Sequence, residues 1–169
     1  MILGFDPNTG GLPPGSHQAT LGQMGRRLGF TPRRRWLLKG LRVVVEAFWA
    51  AGIQEIYSDR SVRTEKPDPG DIDGYWVEPD EGVYDRIDPC WIDFELVLVP
   101  LVRKWKWRMW SEYGVEFFIH PVMQATPELG FPEFFRQDRD GQPRGEIQVV
   151  KAGNHDQERR AKRTNRGPD

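Results

Sequence analysis

The chain has 169 residues with 24 basic and 25 acidic side chains, so a net charge of −1 gives no whole-molecule argument for binding nucleic acid or an anionic membrane. Apolar residues make up 38% and aromatics 12%, which is too much for a wholly disordered chain, and no run of about 18 apolar residues exists to span a bilayer. The start Met1-Ile2-Leu3-Gly4-Phe5-Asp6 lacks the basic and long apolar segments of a secretory signal, and the lone Cys90 has no disulfide partner within the chain, so a cytoplasmic protein without a membrane partner is expected.

In chain order, residues 1–19 read as a loop, because Gly10-Gly11-Leu12-Pro13-Pro14-Gly15 interrupts both helix and strand. Thr20 followed by Gln23 forms a capping-box pattern for a short helix ending near Gly29. Thr31 caps and Pro32 opens a longer helix over 32–51, in which Trp36, Leu37, Leu41, Val44, Val45, Phe48 and Trp49 recur at helical spacing until Gly52. A strand is expected over Ile53 to Ser58, then a polar connection, then a strand over Asp71 to Val77 in which Asp71, Asp73 and Tyr75 face one way. Residues 78–88 read as a charged loop. Asp88-Pro89 reads as the start of helical sequence running to Tyr113 and divided at Pro100. Strands at 115–119 and 146–150, a short helix at 131–137 and a turn at 138–141 complete the expected order, which makes residues 1–152 a single domain. The tail over 153–169 has no large apolar residue and is expected to be disordered and basic.

Charge is unevenly spread. Arg26 to Arg42 holds seven basic residues and no acid, whereas Asp59 to Glu95 holds twelve carboxylates against four basic residues. The Arg33-Arg34-Arg35 run opposes the dipole at its helix start and reads as a solvated end, with a ligand or a partner's carboxylate as the alternative.

Asp71 and Asp73 carry the chemistry. Carboxylates at i and i+2 on a strand leave one face about 7 Å apart along the backbone, a spacing that lets both converge on a divalent cation. A third carboxylate on a neighbouring strand would complete a site for phosphoryl or nucleotidyl transfer. Glu116 is the candidate by strand position, with Asp93 as the alternative. Arg63 and Lys66, in the connection before Asp71, read either as cations that meet a triphosphate or as solvated loop charges. Trp105, Trp107 and Trp110 alternate with Arg103, Lys104, Lys106 and Arg108. Leu101, Trp105 and Met109 share a helical stripe that predicts burial, leaving Trp107 exposed. His17, His120, His155 and Cys90 are too scattered for a zinc site.

The segment Tyr57-Ser58-Asp59-Arg60-Ser61-Val62, with Ser61 ten residues before Asp71-Ile72-Asp73, resembles the Gly-Ser turn and Asp-x-Asp of the nucleotidyltransferase superfamily, which includes DNA polymerase beta-like and minimal nucleotidyltransferases. Gly10 to His17, Arg33-Arg34-Arg35, the run from Lys66 to Asp73, and Phe134 to Asp138 through Pro143-Arg144-Gly145 are similar to small bacterial nucleotidyltransferase-like proteins, over about residues 5–150. The resemblance implies an α/β (α+β) fold, a small mixed sheet flanked by helices. It implies Ser61 near the triphosphate, and Asp71 and Asp73 on Mg2+ (or Mn2+). The implied activity is transfer of a nucleoside monophosphate from a nucleoside triphosphate to a hydroxyl of a protein or nucleic-acid acceptor. Arg60 stands where the superfamily has a glycine, and it either pairs with phosphate or blocks the backbone's approach to it. In the second case the chain is a degenerate fold that binds a partner, such as the toxin of a toxin-antitoxin or phage-defence pair.

Overall fold

The computed structural model describes residues 5–7, 10–59, 66–98, 103–138 and 140–153. Its elements in chain order are β1 (Gly15–Thr20), α1 (Leu21–Leu28), α2 (Pro32–Ala50), β2 (Ile56–Asp59), β3 (Ile72–Val77), α3 (Val83–Arg86), β4 (Phe94–Leu98), β5 (Arg103–Trp107), α4 (Arg108–Tyr113), β6 (Val115–His120), β7 (Gln124–Thr126), β8 (Leu129–Gly130), α5 (Phe131–Phe135) and β9 (Gly145–Val150).

The expected caps form. Thr20 Oγ1 accepts from the Gln23 amide at 3.2 Å while Gln23 Oε1 accepts from the Thr20 amide at 2.9 Å, closing the capping box of α1. Thr31 Oγ1 accepts from the Arg34 amide at 3.2 Å at the start of α2. Helix α2 buries Leu37, Leu41, Val44, Val45 and Phe48 of the stripe read from the sequence against the sheet, while Trp49 is partly buried and Trp36 is 45% exposed.

That sheet has five strands in the order β1-β9-β2-β3-β6. Strand β1 is parallel to β9, β9 antiparallel to β2, β2 antiparallel to β3, and β3 parallel to β6. The fold is thus mixed α/β, with a five-stranded mixed sheet and several helices.

Period-two alternation sends Ile56, Ile72, Trp76, Val115, Phe117, Ile119, Ile147 and Val149 into the core beneath α1 and α2. Phe48 meets Trp76 and Phe117 there at ring separations of 5.7 and 5.8 Å. Each fully buried large side chain contributes roughly 1.5–3 kcal/mol of apolar burial. Gly74 belongs to this face because nothing larger fits: a Cβ would lie 2.2 Å from the Tyr57 carbonyl oxygen and 2.6 Å from the Phe117 ring. The opposite face begins with a second aromatic cluster, in which Tyr75 and Phe118 pack against Phe131 and Phe135 of α5.

Three expectations are corrected. Residues 15–20 form a strand rather than a loop, because the parallel ladder with β9 satisfies their backbone. The loop expected over 78–88 contains the short helix α3.

The largest correction concerns 88–113. A 3-10 turn at Pro89–Trp91 leads to an antiparallel hairpin of β4 and β5, and only Arg108–Tyr113 is α-helical. Strand alternation in Arg103-Lys104-Trp105-Lys106-Trp107 and the stacking of Phe94 on Trp107 at 3.8 Å outweigh the four-residue spacing that suggested a helix. The tryptophans exchange places as a result: Trp107 is 1% exposed and Trp105 is 67% exposed. Pro100, Leu101 and the tail from 154 onward lie outside the described residues.

Candidate metal centre

The site begins with the loop that delivers β3. Residues 66–70 lack regular secondary structure, and their carbonyls are gripped from α2. Thr31 Oγ1 donates to the Pro67 carbonyl at 2.8 Å, Arg33 Nε donates to that of Pro69 at 3.2 Å, and Arg33 Nη2 donates to that of Gly70. Arg34 is wholly buried; its Nε donates to the Lys66 carbonyl at 2.9 Å and its Nη1 to the Leu28 carbonyl at 3.3 Å, with its guanidinium 4.3 Å from the Phe30 ring. Burial pushes the Arg34 pKa down from its ordinary value. The basic run at the start of α2 is therefore not simply a solvated helix end: Arg33 and Arg34 hold the turn immediately before Asp71.

From that turn the sheet register assembles the carboxylates. Asp73 stands opposite Asp59 of β2 on one side and Glu116 of β6 on the other. One step along the sheet, Tyr75 stands opposite Tyr57 and Phe118. A row of aromatics under α5 thus adjoins a row of acids. Asp71 precedes β3 on the same face. One ligand oxygen from each of Asp71, Asp73 and Glu116 lies within 4.8 Å of the others. Asp71 and Asp73 are half-buried, and Glu116 is buried.

Two side chains missed by the sequence reading answer this cluster. Lys106 Nζ of β5 lies 2.6 Å from Glu116 Oε2, in a pair largely withdrawn from solvent. Trp110 Nε1 of α4 donates to Asp71 Oδ2 at 3.0 Å, and its ring lies 5.1 Å from Lys106 Nζ. The alternation from Arg103 to Trp107 was the available signal; assigning that stretch to a helix hid it.

A second buried group also escaped the sequence reading. Glu146 of β9 is wholly buried and accepts from Tyr75 Oη at 2.9 Å and Arg136 Nε at 3.0 Å. Burial and the Glu146 carboxylate push the Tyr75 phenol well above its ordinary pKa, and burial followed by Glu55 pushes Tyr57 up to about 12. Tyr57 and Tyr75 stack with centroids 4.7 Å apart, so this network braces the aromatic row beside the acids.

Of the residues singled out in the sequence, Asp71, Asp73 and Glu116 come together. Asp93, the alternative third acid, is exposed at the foot of β4 and lies outside the cluster. Lys66 is exposed on the held loop, and Arg60, Ser61 and Arg63 lie outside the described residues. Three carboxylates offer only hard oxygen donors, a set that fits Mg2+ or Mn2+ and lacks the nitrogen and sulfur ligands typical of zinc. No helix among the described residues is long and apolar enough to cross a membrane.

No curated protein and no solved structure gives a significant match to the chain. The model of a family of unknown function, DUF6932, matches residues 3–150. That span takes in both strands of the carboxylate cluster and the helix that holds its loop, and the chain belongs to this family.

Proposed function

We propose that this protein is a metal-dependent nucleotidyltransferase that moves a nucleoside monophosphate from a nucleoside triphosphate to a hydroxyl on a protein or nucleic acid. One observation carries the reading: Asp71, Asp73 and Glu116 converge within 4.8 Å on neighbouring strands, with Asp71 entering from a turn anchored by two arginines. Asp71 and Asp73 would hold the divalent cation, which supplies charge neutralisation for the triphosphate and its departing pyrophosphate. Glu116 would orient the acceptor hydroxyl and take its proton. The acceptor oxygen bonds to the α-phosphorus in line as the bond to the β-phosphate oxygen breaks, and pyrophosphate leaves. Ser61, which the sequence resemblance implies lies near the triphosphate, is proposed to position the phosphates together with Lys66, Arg60 and Arg63.

The test incubates the full chain with each α-labelled nucleoside triphosphate, Mg2+ or Mn2+, and cell lysate. Label on one macromolecule, lost in the Asp71→Asn, Asp73→Asn double variant, is the expected result. No transfer, together with no metal-dependent nucleotide binding at millimolar concentration, would refute it. That result would favour the partner-binding alternative, for which Arg60 in place of the glycine is the motive.

A further inference from the structure

The strand-to-helix step from Lys106 to Trp110 contributes a cation to the acid cluster and a hydrogen-bond donor to another of its members. The ammonium is held on two sides. Glu116 Oε2 lies 2.6 Å away, and the Trp110 ring lies 5.1 Å away, while that same indole donates to Asp71 Oδ2 at 3.0 Å. Lys106 therefore does to Glu116 what a divalent cation would do: it neutralises a carboxylate crowded by two others. A divalent cation seated in the cluster repels that ammonium across the few ångströms between them. A lysine is suited to such an exchange because its charge is compact and its four-carbon stem is flexible, whereas an arginine fork would hold the carboxylate in fixed geometry.

We propose that Lys106 is a built-in counter-ion that neutralises Glu116 in the metal-free protein, releases that carboxylate when Mg2+ or Mn2+ binds at Asp71 and Asp73, and then pairs with the phosphates of the incoming nucleoside triphosphate. This rests on the nucleotidyltransferase reading for its final step alone; the exchange on Glu116 concerns the metal and the protein only. It makes Lys106 a determinant of metal affinity and of nucleotide affinity with opposite signs, because it competes with a like charge and attracts an opposite one. The flanking partners constrain where the ammonium can go. Trp110 stays tied to Asp71, so its ring remains beside Lys106 as a face on which the freed cation rests before substrate arrives.

The test compares the full-length wild type with Lys106→Met, which keeps the apolar stem and removes the charge, and with Lys106→Arg, which keeps the charge. Titration with Mn2+ alone, read by calorimetry or by the spin resonance of free Mn2+, should show Lys106→Met binding roughly tenfold tighter than wild type, with Lys106→Arg no tighter. Titration of the Mn2+-saturated proteins with nucleoside triphosphate should show Lys106→Met binding several-fold more weakly. A merely structural lysine predicts the reverse on metal, since a loosened site binds more weakly, and that result overturns the proposal.

Tighter metal binding with unchanged nucleotide binding would overturn the handover to phosphate. Should Lys106→Met fail to fold, wild type alone decides: the hydrogen–nitrogen resonance of the Lys106 ammonium should be visible without metal and should broaden or shift on saturation with Mg2+, and a resonance that does not move refutes the exchange. Label transfer plays no part in these readouts, so an absence of nucleotidyl transfer leaves the metal arm to stand or fall separately.

Discussion

Replacing Asp73 with asparagine removes the central charge of the acid row and should abolish the protein's response to metal. Asp73 lies between Asp59 and Glu116 in register, and a ligand oxygen of each of Asp71, Asp73 and Glu116 lies within 4.8 Å of the others. Two unit charges at that separation repel by about 0.9 kcal/mol at the dielectric of water and about 3.5 kcal/mol at an effective dielectric near 20. Asp73 is half-buried, and Lys106 already offsets Glu116, so the lower value is the appropriate one.

A gain of about 1 kcal/mol raises the melting temperature of a chain this size by about 2–4 °C. In wild type, metal at one hundred times its dissociation constant should add about 2.7 kcal/mol by binding the folded state alone. Melting curves of both proteins with and without Mg2+ therefore separate: wild type melts higher with metal, and Asp73→Asn melts at the same temperature with and without it. If Asp73→Asn still gains the full Mg2+ increment, the carboxylates do not form the metal-receptive cluster described here.

Arg34→Met should cost about 1.5–3 kcal/mol for each charged-donor hydrogen bond it removes, those to the Lys66 and Leu28 carbonyls among them, partly offset by no longer burying a charge, and hydrogen exchange at residues 66–71 should quicken; unchanged protection there would show that the loop holds itself. Gly74→Ala should lower the urea midpoint by the equivalent of about 3 kcal/mol, because its methyl meets a backbone oxygen as well as a ring; a neutral result would mean that β2 and β3 spread readily. At alkaline pH the sign follows from the raised phenols. Unfolded tyrosines ionise near pH ~10, while Tyr57 holds its proton to about 12 and Tyr75 beyond its ordinary value. Folding stability should therefore be intact below pH ~10 and fall as pH rises toward about 12, measurable as urea midpoints alongside phenolate absorbance. A flat midpoint across that range would place both rings in contact with solvent.

The elements legible in the sequence were those whose signal is local. Thr20 and Gln23 cap each other three residues apart, Thr31 and Pro32 open α2, and the spacing from Leu37 to Phe48 names the buried stripe without reference to the rest of the chain. Asp71 and Asp73 were legible for the same reason, since period two alone puts them on one face. Glu116 was reachable because a strand had to follow Gly114, but its choice over Asp93 depended on which strand lies beside β3. Only the parallel pairing of Asp73 with Glu116 decides that.

What the sequence misassigned lies where two periodicities overlap. From Leu101 to Met109 the apolar residues fit a four-residue repeat and a two-residue one equally well, and the hairpin won because Phe94, distant in sequence, stacks on Trp107. Lys106 and Trp110 entered the site through that hairpin and the helix after it, so their roles were out of sight with it. The arginines of α2 show the same division. Their charge was evident from composition, but the carbonyls they hold lie more than thirty residues away. Backbone oxygens carry no mark in a sequence, so only the folded chain shows which of them a buried guanidinium must reach.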